Sequence, residues 1–91
     1  TQGNDVYEPN NTYYHTSKTG VNSGLLSGPS GTDYDLYLYK WNSRSGWVVV
    51  ASSTGSTSSE TINYNGTSGY YEWDIYAYSG SGSFQFCLKH P

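Results

Sequence analysis

The run Gly69–Tyr78, GYYEWDIYAY, limits what this chain can become more than any other stretch. Its side chains alternate in character with a period of two, the period of an extended strand whose side chains leave on opposite faces. Tyr71, Trp73, Ile75 and Ala77 line one face, and Tyr70, Glu72, Asp74, Tyr76 and Tyr78 line the other. Such a strand needs partners beside it and a second layer against its apolar face. A chain of 91 residues offers one small domain to supply them. Tyr34–Trp41 (YDLYLYKW) alternates in the same way, with Leu36 and Leu38 on one side and Asp35, Tyr37, Tyr39 and Trp41 on the other. Asn42–Ser45 then reads as a turn and Gly46–Ser52 as the second strand of a hairpin. Glu60–Tyr64 is a short strand, followed by a turn signal at Asn65–Gly66, two residues that tolerate positive φ. Ser83–Lys89 closes the chain with Phe84, Phe86 and Leu88 inward, and weaker strand signals lie at Tyr13–Thr16 and Gly24–Ser27.

The expected fold is therefore all-β, an antiparallel β-sandwich, because strands recur at intervals of roughly 8–12 residues with turns between them. Its expected core holds Leu36, Leu38, Trp73, Ile75, Phe84 and Phe86. Residues 1–12 are polar and turn-rich and are expected to be a leader or linker that docks on a single domain spanning 13–91.

Composition narrows the function. A Ser/Thr/Gly-rich chain can be disordered, but 11 Tyr, 3 Trp and 2 Phe argue for a packed domain. The net charge is −3 with four Lys and Arg in all, so the basic stripe that a nucleic-acid binder needs is missing. No apolar run approaches the ~18 residues of a membrane-crossing helix. The chain opens on Thr1 and is expected to be a mature or excised form. The single cysteine, Cys87, cannot close a bridge within the chain and so assigns no redox compartment. One Cys and two separated His fall short of a zinc site. Serine is abundant, but GxSxG is absent and His90 adjoins the C-terminal Pro91. Glu60, Glu72 and Asp74 are the carboxylates available for glycosidase-type chemistry, in a domain too small for a deep cleft. No catalytic residue is expected.

The order DYDLYLYKW, VVASS, SSETINYNGTSGYYEWDIYAYSGSGSF resembles the bacterial pre-peptidase C-terminal (PPC) domain family. The shared features are the acidic pair Asp33/Asp35 before a DLYL strand, the Ser-rich loop ending at Glu60, and Gly69-Tyr70-Tyr71. The closing Tyr78–Phe84 segment and the upstream Glu8-Pro9-Asn10 also match. The resemblance covers about residues 5–88, weakly over 11–31. It implies a jelly-roll-like sandwich, secretion, and attachment to an extracellular hydrolase. It also implies kinship with the collagen-binding domains of secreted proteases, and a calcium ion near the N-terminal segment.

Two sets of candidate residues follow. Glu8, Asn10, Asn11, Asp33 and Asp35 supply the oxygen ligands that calcium takes, and the resemblance implies that their two segments meet. Tyr37, Tyr39, Trp41, Tyr70, Tyr76 and Tyr78 leave their strands opposite the core residues. Some of these rings serve cross-strand pairing. Together they also offer large, rigid contact area at small entropic cost, with Glu72 and Asp74 beside them as acceptors for ligand hydroxyls. The expected partner is an extracellular polymer, either a collagen-like protein or a polysaccharide; the second expectation is a carbohydrate-binding module proper, with chitin or a plant glycan as its ligand. Self-association through Tyr- and Ser-rich edge strands is the third expectation.

Overall fold

The computed structural model describes residues 5–9, 11–28, 31, 33–55, 59–79 and 84–91, the side chains of 77–79 excepted. The strands are β1 (Asp5–Glu8), β2 (Tyr14–Thr16), β3 (Gly20–Ser27), β4 (Asp33–Asn42), β5 (Gly46–Ser53), β6 (Ser59–Gly66), β7 (Gly69–Ser79) and β8 (Gln85–Lys89). They form two antiparallel sheets. One runs β1-β7-β4-β5 with β2 also on β7, and the other runs β6-β3-β8. The architecture is an all-β sandwich. The chain changes sheet at β2–β3, β3–β4, β5–β6, β6–β7 and β7–β8, so the two layers are stitched along their length.

Alternation decides what lies between the layers. Leu36 and Leu38 from β4 and Tyr71, Trp73 and Ile75 from β7 are buried, together with Leu26 and Ile62 from the opposite sheet. Tyr34, on the same face as Leu36, is buried as well and meets Phe84 edge-on at 5.6 Å. Phe84 and Phe86, expected to be fully buried, are half-buried at the margin and pack against this core. β8 is an edge strand of its sheet, so side chains on it and just before it lie at the rim of the sandwich. Trp73 contacts Phe86 edge-to-face at 5.5 Å and lies against β3 at Gly24, where a Cβ would come within 2.6 Å of Trp73 Cζ3. Between the layers Tyr14 donates its hydroxyl to Asn22 Oδ1 at 2.8 Å, and burial pushes the Tyr14 hydroxyl up to about 12.

Two local expectations change, and one irregularity is new. The Asn65–Gly66 turn is absent: both residues belong to β6, and the chain turns at Thr67–Ser68. Gly66 serves a close approach instead, since Tyr64 and Tyr71 crowd the space its Cβ would need, and Tyr71 donates to the Thr67 carbonyl at 2.6 Å. The segment expected to be a docked leader contributes a strand, with Asp5–Glu8 pairing against Tyr76–Trp73. In β5, the register against β4 shifts at Leu38/Tyr39, which pair with Ala51 and Val49. This bulge lets both Val50 and Ala51 reach the core.

Trp73→Ala is expected to cost about 3–5 kcal/mol in urea unfolding, because nothing can collapse into the space between two fixed sheets. Gly24→Ala should also destabilise, since the new methyl can be seated only by moving the indole. A loss below about 1 kcal/mol for Trp73→Ala would mean that the indole does not hold the layers together.

Candidate functional site

The outer face of the larger sheet is patterned in two dimensions. Residues paired across antiparallel strands project to the same side. On β4 and β7 the outer pairs are Asp35 with Tyr76, Tyr37 with Asp74, and Tyr39 with Glu72. On β1 and β7 they are Asp5 with Tyr76 and Tyr7 with Asp74. Asp5, Asp35, Glu72 and Asp74 thus each sit directly opposite a tyrosine, with Glu72 and Asp74 two residues apart on β7 and Asp5 and Asp35 approaching Asp74 diagonally. The next row is aromatic throughout: His15 pairs with Tyr70, and Trp41 pairs with Trp47.

The edge beside β7 is interrupted, and this interruption raises one wall of a groove. β1 covers Tyr76–Trp73 and β2 covers Tyr71–Gly69. Between them the chain turns with Asn11 at a φ of 61°, a value Asn accepts readily. Asn11 N–H donates to the Tyr7 carbonyl at 3.0 Å. Tyr13 follows and leans over the sheet, with ring centroids 5.5 Å from Tyr70 and 5.8 Å from Trp47. Trp41 meets Trp47 edge-on at 5.5 Å. Tyr13, Trp41, Trp47 and Tyr70 together line a cavity of about 250 Å³. A second cavity of about 210 Å³ is lined by Tyr7, Tyr39, Trp47 and Glu72. The two share Trp47 as a lining residue and so lie side by side on this face. Their rings are tilted to one another, from 45° to 82° in the first compartment, which makes a cup rather than a flat platform.

Electrostatics beneath the groove are acidic. Asp74 is 6% exposed and its Oδ1 has no hydrogen-bond partner among the described residues. Burial first, then a hydrogen bond and the charge of Asp5, push its carboxyl up to about 7. Burial also raises Glu72, and burial with the charges of Asp33 and Glu60 raises Asp35. The hydroxyls of Tyr7, Tyr37 and Tyr39 are raised by burial and by these carboxylates, so they remain O–H donors well beyond neutral pH.

The structure brings Tyr37, Tyr39, Trp41, Tyr70 and Tyr76 onto one face, and Trp41 and Tyr70 line the groove itself. Tyr78 has only its backbone described. The sequence reading did not select Tyr7, Tyr13 or Trp47. Trp47 was within reach, because the hairpin turn at Asn42–Ser45 already sets it across from Trp41. Tyr7 and Tyr13 depend on how the N-terminal segment crosses the sheet, which no local pattern encodes.

The oxygen ligands proposed for calcium are divided. Glu8 pairs with Trp73 and shares the inner face, whereas Asp35 pairs with Tyr76 on the outer face, with β7 between them. Asn11 lies exposed in the turn after β1, and Asn10 lies outside the described residues. Asp33 and Asp35 remain near each other at the start of β4, but Glu8 does not fit the same ion. Among the described residues no group of three or more His, Cys, Asp or Glu is placed to hold a metal. Glu60 is also apart from Glu72 and Asp74. It is buried between the sheets, where it accepts hydrogen bonds from the Ser53 hydroxyl and the Gly55 N–H.

No family model matches the chain.

Asp74 yields a pH prediction. Folding raises its carboxyl from 3.8 to about 7, so between those values the folded state holds a proton that the unfolded state has lost. Stability therefore falls as pH rises from about 4 to about 7 and levels off above that, with Asp35 and Glu72 adding the same sign. Asp74→Asn should flatten most of this decline and raise the melting midpoint in alkaline buffer. A variant that keeps the wild-type slope would assign the effect elsewhere.

Proposed function

We propose that this domain is a non-catalytic, secreted accessory module of the PPC kind, carried by an extracellular hydrolase and binding an extracellular polymer. The observation that carries the reading is the aromatic groove on the outer face. Trp41 and Tyr70 keep 47% and 44% of their surface exposed although apolar rings of this size are normally withdrawn from water. Tyr13, 51% exposed, stands beside them. A sandwich needs none of these rings for its core, which lies on the opposite side of the same sheet. Their hydroxyls and the neighbouring carboxylates supply the polar contacts that orient a ligand once the rings hold it. Each compartment is smaller than a drug-sized pocket, about 300–1,000 Å³, so a chain is engaged unit by unit along the groove.

Retention on insoluble collagen, chitin, cellulose and xylan tests this. The domain is expected to sediment with at least one of them. Trp41→Ala and Trp47→Ala should each weaken retention roughly tenfold or more, as anchors at the centre of a contact do. Leu38→Ala should lower the unfolding midpoint and leave binding per folded molecule unchanged, since Leu38 faces the core. Retention on none of the polymers, with a mass that rises with concentration, would replace polymer binding by self-association.

A further inference from the structure

The charge distribution goes further than the aromatic rings alone. Asp5, Asp35, Glu72 and Asp74 all belong to the outer face by register. All four Lys and Arg lie elsewhere. Lys18 is in the turn between β2 and β3, and Arg44 is in the β4–β5 turn. Lys40 projects inward over the Tyr71 ring and donates to the Thr67 hydroxyl, and Lys89 is on β8 of the other sheet. His15, beside Tyr70, is the one basic side chain that register places on this face. The face therefore has carboxylates without cations to answer them. Asp74 is more than nine-tenths buried, paired with Tyr7 and Tyr37, with Oδ1 unpartnered among the described residues and its carboxyl raised toward neutrality, so the negative charge that the face presents comes from its other carboxylates.

We propose that the polymer is a cationic amino-sugar chain, β-1,4-linked glucosamine with free amines. The assignment rests on the polymer-binding reading above and names the ligand for the same groove. The all-aromatic compartment takes the apolar face of one sugar ring between Trp41, Trp47, Tyr13 and Tyr70. The next compartment shares Trp47 and carries Glu72, whose carboxylate accepts from an ammonium of the adjoining sugar. Such a charge-assisted hydrogen bond is about twice as strong as a neutral one. The aromatic faces around it favour a cation in the same place. A neutral glycan would fill the rings and leave the carboxylates without a charged partner. A basic peptide answers the charge less well, because the groove lies on a sheet face, where no free backbone ladder is available to an extended chain.

Soluble hexamers of glucosamine, N-acetylglucosamine and glucose, all β-1,4-linked, separate these cases by calorimetry in mildly acidic buffer that keeps the free amines protonated. The glucosamine hexamer is expected to bind roughly tenfold or more tightly than the other two, with a preference that shrinks as salt screens the carboxylates. Glu72→Gln, which keeps the shape and removes the charge, should abolish most of the preference for the glucosamine hexamer over the glucose hexamer. Trp47→Ala should weaken all three hexamers alike. An unchanged melting midpoint confirms that Glu72→Gln is folded, and Glu72→Asp should restore part of the preference if the charge is what matters. Equal affinities for the three hexamers would overturn the amino-sugar assignment while leaving the polymer-binding reading in place. Hexalysine bound as tightly as the glucosamine hexamer would overturn it in favour of a basic peptide. Failure of every hexamer and of every insoluble polymer would remove both readings.

Discussion

Everything in this domain is arranged around the contact between Trp73 and the bare backbone at Gly24. The indole is withdrawn from water completely and fills the space between two sheets that approach closely at this point. Because β7 carries Trp73 inward, its neighbours Glu72 and Asp74 must project outward, a consequence of strand geometry that no local preference can override. β7 also pairs with β1, β2 and β4, so its orientation sets the register of the whole larger sheet. The acidic and aromatic pattern on the outer face is thus the reverse side of the core. A one-residue slip of β7 would exchange the two.

The tyrosine–carboxylate checkerboard resolves a problem created by that arrangement. Four carboxylates on one small sheet face would repel one another, and several are poorly hydrated. Placing a phenol opposite each acid keeps carboxylates out of the directly paired cross-strand positions and puts an O–H within the same row. The residual strain is visible at Asp74, whose carboxyl is driven toward neutrality by its surroundings. Groups of this kind concentrate where a surface is made for a ligand rather than for stability alone.

How far the sequence could be read follows from the same physics. Strict alternation in Tyr34–Trp41 and Gly69–Tyr78 made the two central strands legible, and with them Leu36, Leu38, Trp73 and Ile75 as core and Tyr37, Tyr39, Trp41 and Tyr76 as outer face. Asn65–Gly66 misled because a glycine needed for close packing looks the same as one needed for a turn. Strand β1 was hidden by its brevity. Four residues, DVYE, carry too few positions for a period to show, and Val6 remains 39% exposed. Glu8 was grouped with Asp35 by resemblance, but β7 runs between their strands and the pleat turns them to opposite sides. The groove draws Tyr7 and Tyr13 from a segment whose position depends wholly on tertiary pairing.

The interrupted edge has a mechanical side. Among the described strands β1 pairs only with β7, over four residues, and neither Asp5 nor Val6 is buried. A load applied at Asp5 is carried first by those few backbone hydrogen bonds and reaches the core only after they part. The first pieces lost are Tyr7 and then the turn that holds Tyr13 over the sheet, while Trp73 and its layer stay sealed. Under tension the groove opens before the sandwich yields, so grip and fold fail at different forces.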